Sequence, residues 1–409
     1  MKVAGLSTTP YCSTQSDSCA SVNLSSAVAS AVPRASSIRM PAFRSLFALA
    51  ENTANQLRGT KNNPNRIKDK TYDNYTRFPH SREDILRMRE QRNETQYRKS
   101  VEALAILSDT YADSVTIFLQ SNYSRERETP REALQRREVR TDRPELLHEV
   151  FRNPYVIHPL RSSAVSAADK DGIESRLSIT VKPEYADLLA EVLVEFCSAD
   201  REGLHSAKVM GPIDHGARSE TGILYLSQTD PEIAAVFAEC IHKNLESKVR
   251  MLLDKSDSEP HQNGNDSWLK QARMDLSAGT LYAGAPPGTQ PVRPGIAYSE
   301  KPPAFEKEIS SGRAKSETIS FAIDDHLNFQ EDLESALLEH LDACGYSTIN
   351  PAFAYRDGDT PQAIQERVDL LQKLTPEQFK EEKSLPPSPR EEGNPERERE
   401  RFTRLFLDG

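Results

Sequence analysis

Little in this sequence would anchor it in a membrane, cross-link it or bind it to nucleic acid. No apolar run reaches about eighteen residues, so no membrane span is expected. The opening MKVAGLSTTPYCSTQSDS lacks the apolar core of a secretory signal peptide, which argues against export by the general pathway. The five cysteines, Cys12, Cys19, Cys197, Cys240 and Cys344, show neither CxxC pairs nor the spacing of a disulfide framework. Cys197 and Cys240 end apolar helical stripes and read as core thiols, which suits a reducing compartment. Positive charge is in deficit, with 52 Lys and Arg against 62 Asp and Glu. The resulting pI near 5.6 speaks against a general nucleic-acid binder, because phosphate backbones are held by surplus cations. There is no GxGxxG, P-loop, GxSxG or kinase signature, and the His, Cys and acidic spacings match no common zinc pattern. Neither a cofactor nor a metal is expected.

The chain has 409 residues, of which 37% are apolar, and a mean hydropathy of -0.64, so part of it is expected to stay unpacked. Residues 1–40 are crowded with Ser, Thr and Ala, with Asp17 the only acid, and read as disordered. In 41–70 a short apolar patch, Phe43, Leu46, Phe47 and Leu49, precedes the polar RGTKNNPNRIKDK and reads as a docking strip for a partner within a disordered region. Residues 72–145 read as mainly helical, with Val101, Leu104 and Ala105 as a packed stripe and Ile117, Phe118 and Leu119 closing the helical run. The folded part is expected over 146–353, and 354–409 as a charged, mostly disordered tail.

Within the folded part, residues 176–226 read strand, helix, strand, strand. Leu177, Ile179 and Val181 alternate with Arg176, Ser178 and Thr180, the period of a strand with one buried face. Pro183 then opens an amphipathic helix through Leu188, Leu189, Val192, Leu193 and Phe196. A second helix follows Thr229, Asp230 and Pro231, which supply cap candidates and a helix-opening proline. Ser316 and Glu317 open a later helix. The fold class expected is α+β, a mixed sheet covered by helices.

Five cations, Arg176, Lys208, Arg218, Arg293 and Arg313, are candidates to hold a phosphate or carboxylate, since Arg offers a planar fork and Lys a point charge. Each alone reads first as a solvated or salt-bridged surface cation. A lysine among arginines has its ammonium form disfavoured, which suits Lys208 to act as a general base. His205 and His215 flank it, and either is placed to donate a proton to a leaving group or to serve only as a polar loop residue.

The segments RLSITVKPEYADLL, HSAKVMGPIDHGARSETGILYLS, PGIAYSE, SETISFAI and CGYSTINPAF together resemble the HopA-class effectors that plant-pathogenic bacteria inject through a type III secretion system. The matches keep their order over about 150–353. This resemblance implies a disordered secretion signal in 1–40, a segment wrapped by a dedicated secretion chaperone in 41–70, and a folded α+β domain acting in the host cytoplasm or nucleus. It further implies host immune-signalling proteins as partners. The family's domain is similar in turn to phosphothreonine lyases, which remove phosphate by β-elimination: a lysine takes the α-proton, a histidine protonates the leaving phosphate, and arginines hold it. By this resemblance Lys208 takes the place of the base, Arg218 and Arg176 those of phosphate-holding cations, and Arg313 or Lys315 that of another. Ser178 stands where the lyases carry the acid histidine, so elimination would need another acid such as His215. Two functions follow from the resemblance: an effector that binds host proteins on a lyase-like scaffold, or an active phosphothreonine lyase or phosphoresidue-binding relic of one.

Overall fold

The computed structural model describes residues 40–60, 63–121, 127–139, 149–160, 172–199, 201–258, 266–302 and 310–373. The chain divides into two units, Met1–Ile38 and Arg39–Gly409, and every described residue belongs to the second. The secretion signal expected over 1–40, Met40 apart, and the tail beyond Lys373 lie outside the described residues.

Among the described residues, seven strands form one sheet: β1 (Val115–Leu119), β2 (Tyr155–Pro159), β3 (Ser175–Ile179), β4 (Leu204–Val209), β5 (Gly222–Leu226), β6 (Gln290–Arg293) and β7 (Ile296–Glu300). Their spatial order is β1-β2-β4-β5-β3-β7-β6. All six pairings are antiparallel. The α+β class therefore holds, with an antiparallel rather than a mixed sheet. The reason lies in short connections such as β6 to β7, where Pro294 and Gly295 turn the chain and only antiparallel neighbours can be joined. Gly295 adopts φ +63°, and a Cβ there would stand 2.3 Å from Tyr282 Cβ.

One face of the sheet carries Leu177, Ile179, Ala207, Val209, Leu224, Leu226, Ile296 and Tyr298, all buried in the main core. Against it pack α4 (Glu94–Thr110), α6 (Ala186–Ser198) and α7 (Pro231–Ser258). As expected, Pro183 opens the approach to α6 through a 3-10 turn, and Pro231 starts α7. Asp230 Oδ1 caps α7, accepting from the Glu232 and Ile233 amides at 2.8 and 3.3 Å. Cys197 and Cys240 are core thiols. The intervening helices are α3 (Arg82–Glu90), α5 (Pro130–Val139) and α8 (Asp266–Ala278).

A second layer lies on the other face: α1 (Pro41–Leu57), α2 (Pro64–Arg77), α9 (Ser311–Asn328) and α10 (Leu333–Ala343). Phe43, Leu46, Leu49, Tyr75, Ile319, Ile323, Leu337, Leu341 and Tyr346 form its separate apolar cluster. This layer covers only part of the sheet. In β3 and β7 every residue is buried, whereas β1 alternates buried and half-buried side chains. Two-sided burial at β3 and β7 and one-sided burial at β1 follow from which strands lie beneath the helices.

Four regions depart from the sequence reading. Ile117, Phe118 and Leu119, expected to close a helix, form edge strand β1, so the sheet crosses the expected boundary at 145/146. Their β-branched neighbours Val115 and Thr116 favour a pleated surface, and pairing with β2 satisfies the backbone. The apolar patch at 43–49 is folded: Phe43, Leu46 and Leu49 are buried in the second cluster, and Gly288, in the turn before β6, lets Leu46 approach because a Cβ there would stand 2.7 Å from Leu46 Cδ1. Helix α9 starts at Ser311 rather than Ser316, with Ser310 Oγ accepting from the Arg313 amide at 3.3 Å. Finally, α11 (Pro361–Gln372) lies in the expected disordered tail and buries Ile364 and Leu371 in the main core.

Glu300 ties α11 and the segment before it to the sheet. Its buried carboxylate accepts from Arg356 Nη2 at 3.0 Å, from the Ala354 amide at 3.0 Å and from Tyr298 Oη at 3.2 Å, with Arg367 at 3.7 Å. Burial is the dominant influence on Glu300 and pushes its pKa up, against the opposing pull of Arg356. Glu300→Ala leaves the buried Tyr298 hydroxyl and the Ala354 amide without their acceptor, while Arg367 keeps Asp359 at 2.6 Å, and is expected to lower unfolding free energy by about 2 kcal/mol or more. Urea denaturation at neutral pH measures this, and a change within about 0.5 kcal/mol would show that Glu300 is not the tie.

Candidate functional site

The outer face of the sheet carries the sequence's strongest candidates. Lys208 on β4, Ile223 on β5, Ser178 on β3 and Ala297 on β7 share one cross-strand row. Ser206, Tyr225, Arg176 and Ser299 form the next. Lys208 and Ser178 are thus two strands apart, roughly 10 Å between backbones. The row also crosses the limit of the second layer: Ser178 is fully buried, and Lys208 is only half-buried.

Arg176 sits beneath α2 and α9, 4% exposed. Its Nη2 lies 3.2 Å from Glu220 Oε1, and its Nε donates to Ser299 Oγ at 3.3 Å. Ser178 Oγ donates to the same Glu220 oxygen at 2.8 Å. A single carboxylate therefore takes both the guanidinium and the hydroxyl. Tyr75, Tyr225 and Tyr346 surround the pair electrostatically, and burial pushes their phenols up, that of Tyr225 to about 12. Lys315 enters from α9, 1% exposed, and donates to the Gly288 carbonyl at 2.5 Å. Burial, then the nearby Arg176 charge, holds its amine well below the usual lysine range.

The β4–β5 loop holds two further candidates elsewhere. His215 is 3% exposed, with Nε2 2.7 Å from the Met210 carbonyl oxygen. Nε2 is accordingly the donor, which leaves Nδ1 unprotonated and buried without a hydrogen-bond partner. Burial, reinforced by Arg92, lowers its pKa to about 3. A neutral imidazole whose one proton is committed to a backbone carbonyl is a poor acid for a leaving phosphate. Arg218 Nε donates to Asp214 Oδ2 at 2.6 Å, and Arg89 takes the other oxygen of Asp214 at 2.5 Å. With Arg92 Nη1 on the Pro212 carbonyl at 3.1 Å and the Ser219 amide on the Thr76 carbonyl at 2.9 Å, this loop is pinned to the helices around it.

The remaining cations lie apart. Arg293 on β6 pairs with Glu239 of α7 at 2.5 Å, on the face opposite Arg176. Arg313, in the first turn of α9 and 59% exposed along its side chain, pairs with Glu317 at 3.0 Å. The structure thus brings together Arg176, Ser178 and Lys315, sets Lys208 at the border of the same surface, and does not bring Arg218, Arg293, Arg313 or His215 into it. Glu220, Tyr75 and Tyr346 were missed by sequence reasoning. Glu220 had a signal, an acid two residues beyond Arg218 in GARSETG, whereas Tyr75 and Tyr346 reach the site only through the packing of α2 and α10. Among the described residues, no group of three or more His, Cys, Asp and Glu is placed to hold a metal.

This architecture, an antiparallel sheet between a main helical layer and a partial second one, is shared with a known class of bacterial effector. The chain is similar to the structure of the effector protein from Pseudomonas syringae pv. syringae strain 61, with 20% identity, a TM-score of 0.50, and coverage of 77% of this chain and 98% of that one. The effector protein from Pseudomonas syringae pv. tomato strain DC3000 is also similar, at 19% identity, TM-score 0.47, covering 78% of this chain and 100% of that one. Residues 269–353 match the model of the HopA1 effector protein family. No curated protein matches. The family match supports the HopA-class resemblance read from the sequence, and with it the assignment as a type III effector; the first structural likeness establishes shared fold.

Two measurements follow from this geometry. Glu220→Gln strands Arg176 as a buried, uncompensated charge and is expected to cost about 3 kcal/mol or more of stability. Adding Arg176→Met should recover most of that loss, and additive costs in a double-mutant cycle would show that the two side chains do not act as a pair. The second concerns pH. His215 and His158, the latter also lowered by burial to about 4, stay neutral in the folded chain at pH values where the unfolded chain takes up protons. Stability therefore falls as pH drops below about 6.5, by up to about 1.4 kcal/mol per pH unit for each histidine. His215→Gln should flatten that slope between pH 6 and 4; an unchanged slope would show that His215 is not held neutral.

Proposed function

We propose that this effector acts in the host cell by binding immune-signalling proteins, with its lyase-like scaffold serving as a recognition surface. The observation that carries this reading is Glu220. Its carboxylate occupies both Arg176 and Ser178, so the cation that would hold a substrate phosphate is neutralised within the chain and lies under α2 and α9. β-Elimination further needs a base to take the α-proton and an acid to meet the phosphate that leaves with the C–O electron pair. Ser178 and the neutral His215 are both unsuited to the second task.

One feature favours the alternative, a phosphothreonine lyase or a phosphoresidue-binding relic of one: Lys208 is half-buried, in the row of Ser178, on the part of the sheet that no described helix of the second layer covers. Purified protein incubated with phosphothreonine peptides and host lysate, beside Lys208→Ala, separates the two by mass spectrometry. No loss of phosphoric acid is expected. Loss that disappears in Lys208→Ala would make the protein an eliminating enzyme.

Delivery is proposed to rest on a secretion signal in 1–40 and a chaperone-binding segment in 41–70. Phe43, Leu46 and Leu49 of that segment are buried in the second cluster. A chaperone that wraps it would therefore act before α1 packs, holding the chain in a partly open state. A reporter fused to residues 1–70 is expected to enter host cells only from bacteria with a working type III system. Failure of that delivery would remove the effector function.

A further inference from the structure

Beyond Lys315, the hairpin of α9 and α10 carries a single sign of charge. From Ser316 to Tyr355 the sequence has eight Asp and Glu and no Lys or Arg. The inner side of the hairpin is accounted for, because Ile319, Ile323, Leu333, Leu337 and Leu341 are buried in the second cluster. The outer side of α10 presents Asp332, Glu339 and Asp342, spaced to share one helical face and all exposed. At the first turn of α9, Arg313 and Lys68 both pair with Glu317, so the excess of negative charge lies toward the α9–α10 connection.

Two aromatic rings stand out on that acidic surface. Phe321 is 48% exposed, its ring 5.6 Å from that of His340, which is itself held by Asp325 Oδ2 at 2.6 Å. Phe329, which ends α9, is 69% exposed. Phe329 at 69% is the most exposed of the large apolar side chains among the described residues, and carboxylates near the two rings raise the local concentration of cations. Eight residues of helix set the two side chains about 12 Å apart along the axis, a span that about four residues of one extended segment cover.

We propose that the outer face of α9–α10 docks a basic segment of a partner protein, whose apolar side chains rest on Phe321 and Phe329 while its Lys and Arg meet Glu331, Asp332, Glu339 and Asp342. The choice of occupant rests on charge complementarity. This face is separate from the Arg176 site, and the inference stands whether or not the protein eliminates phosphate.

The test uses the full chain and a fluorescein-labelled peptide of alternating Lys and Leu, with a Glu and Leu peptide as its counterpart. Fluorescence anisotropy is expected to show salt-sensitive binding of the Lys peptide alone. Phe321→Ser with Phe329→Ser, and separately Glu339→Lys with Asp342→Lys, should each weaken it about tenfold. Equal charge reversal at exposed Glu90 and Glu202 should change it less than about twofold, which separates this face from net charge. Equal effects of the two charge reversals, or no effect of the Phe variants, would overturn the proposal. So would two rival occupants. Self-association in sedimentation that disappears in the Phe variants would assign the face to a second copy. A tenfold gain in peptide affinity on changing Arg397, Arg399 and Arg401 to Glu would assign it to the chain's own C-terminal segment.

Discussion

A guanidinium under two helices in the middle of a sheet must be given a countercharge, and in this protein the chain supplies its own. Glu220 reaches back from the β4–β5 connection to Arg176, and its oxygen also takes the Ser178 hydroxyl. That one carboxylate lets the second layer close over β3. Without it, the approach of Tyr75, Tyr346 and Lys315 would surround an uncompensated charge with low-dielectric material. The Lys315 amine, lowered first by burial and then by the Arg176 charge, belongs to the same arrangement.

The partial extent of the second layer divides the outer sheet face into two regions with different chemistry. Beneath α2 and α9 it is closed, polar and internally neutralised. Toward β1 and β2 it is open, with Phe118 stacked on His158 at 5.2 Å, His205 edge-on to His158 at 6.2 Å, and Lys208 beside them in the sheet. In the proposed reading, this division serves recognition rather than turnover. The acidic α9–α10 hairpin adds a second, chemically opposite surface on the helical layer.

Much of the fold was legible because local patterning and tertiary packing agree. The alternation of Leu177 and Ile179 set the inner face of β3, and the stripes of Leu188, Leu189, Val192 and Phe196 set the buried face of α6. Proline and cap chemistry placed the starts of α6 and α7. The errors fall where a short apolar run has no period of its own. Ile117 to Leu119 and Phe43 to Leu49 look alike in a sequence window, yet one pairs as an edge strand and the other packs as a helix against α9 and α10. In the site, arginines and lysines were visible as types, but Arg293 faces α7 and Arg176 faces α2, because sheet position and strand direction choose the face.

The sequence by itself determined the inventory: an acidic chain, poor in cysteine, with alternating strands, amphipathic helices, candidate cations and a serial resemblance to one effector family. These properties depend on residues near one another in the chain, where period and composition carry the information. Only the tertiary structure decided which of those cations meet. Tyr75, Arg176, Glu220 and Lys315 are far apart along the chain, and their common chamber exists because the second layer folds back over β3. The physical reason is that burial and pairing are properties of the space between elements, which strand order and helix packing define and no local window contains.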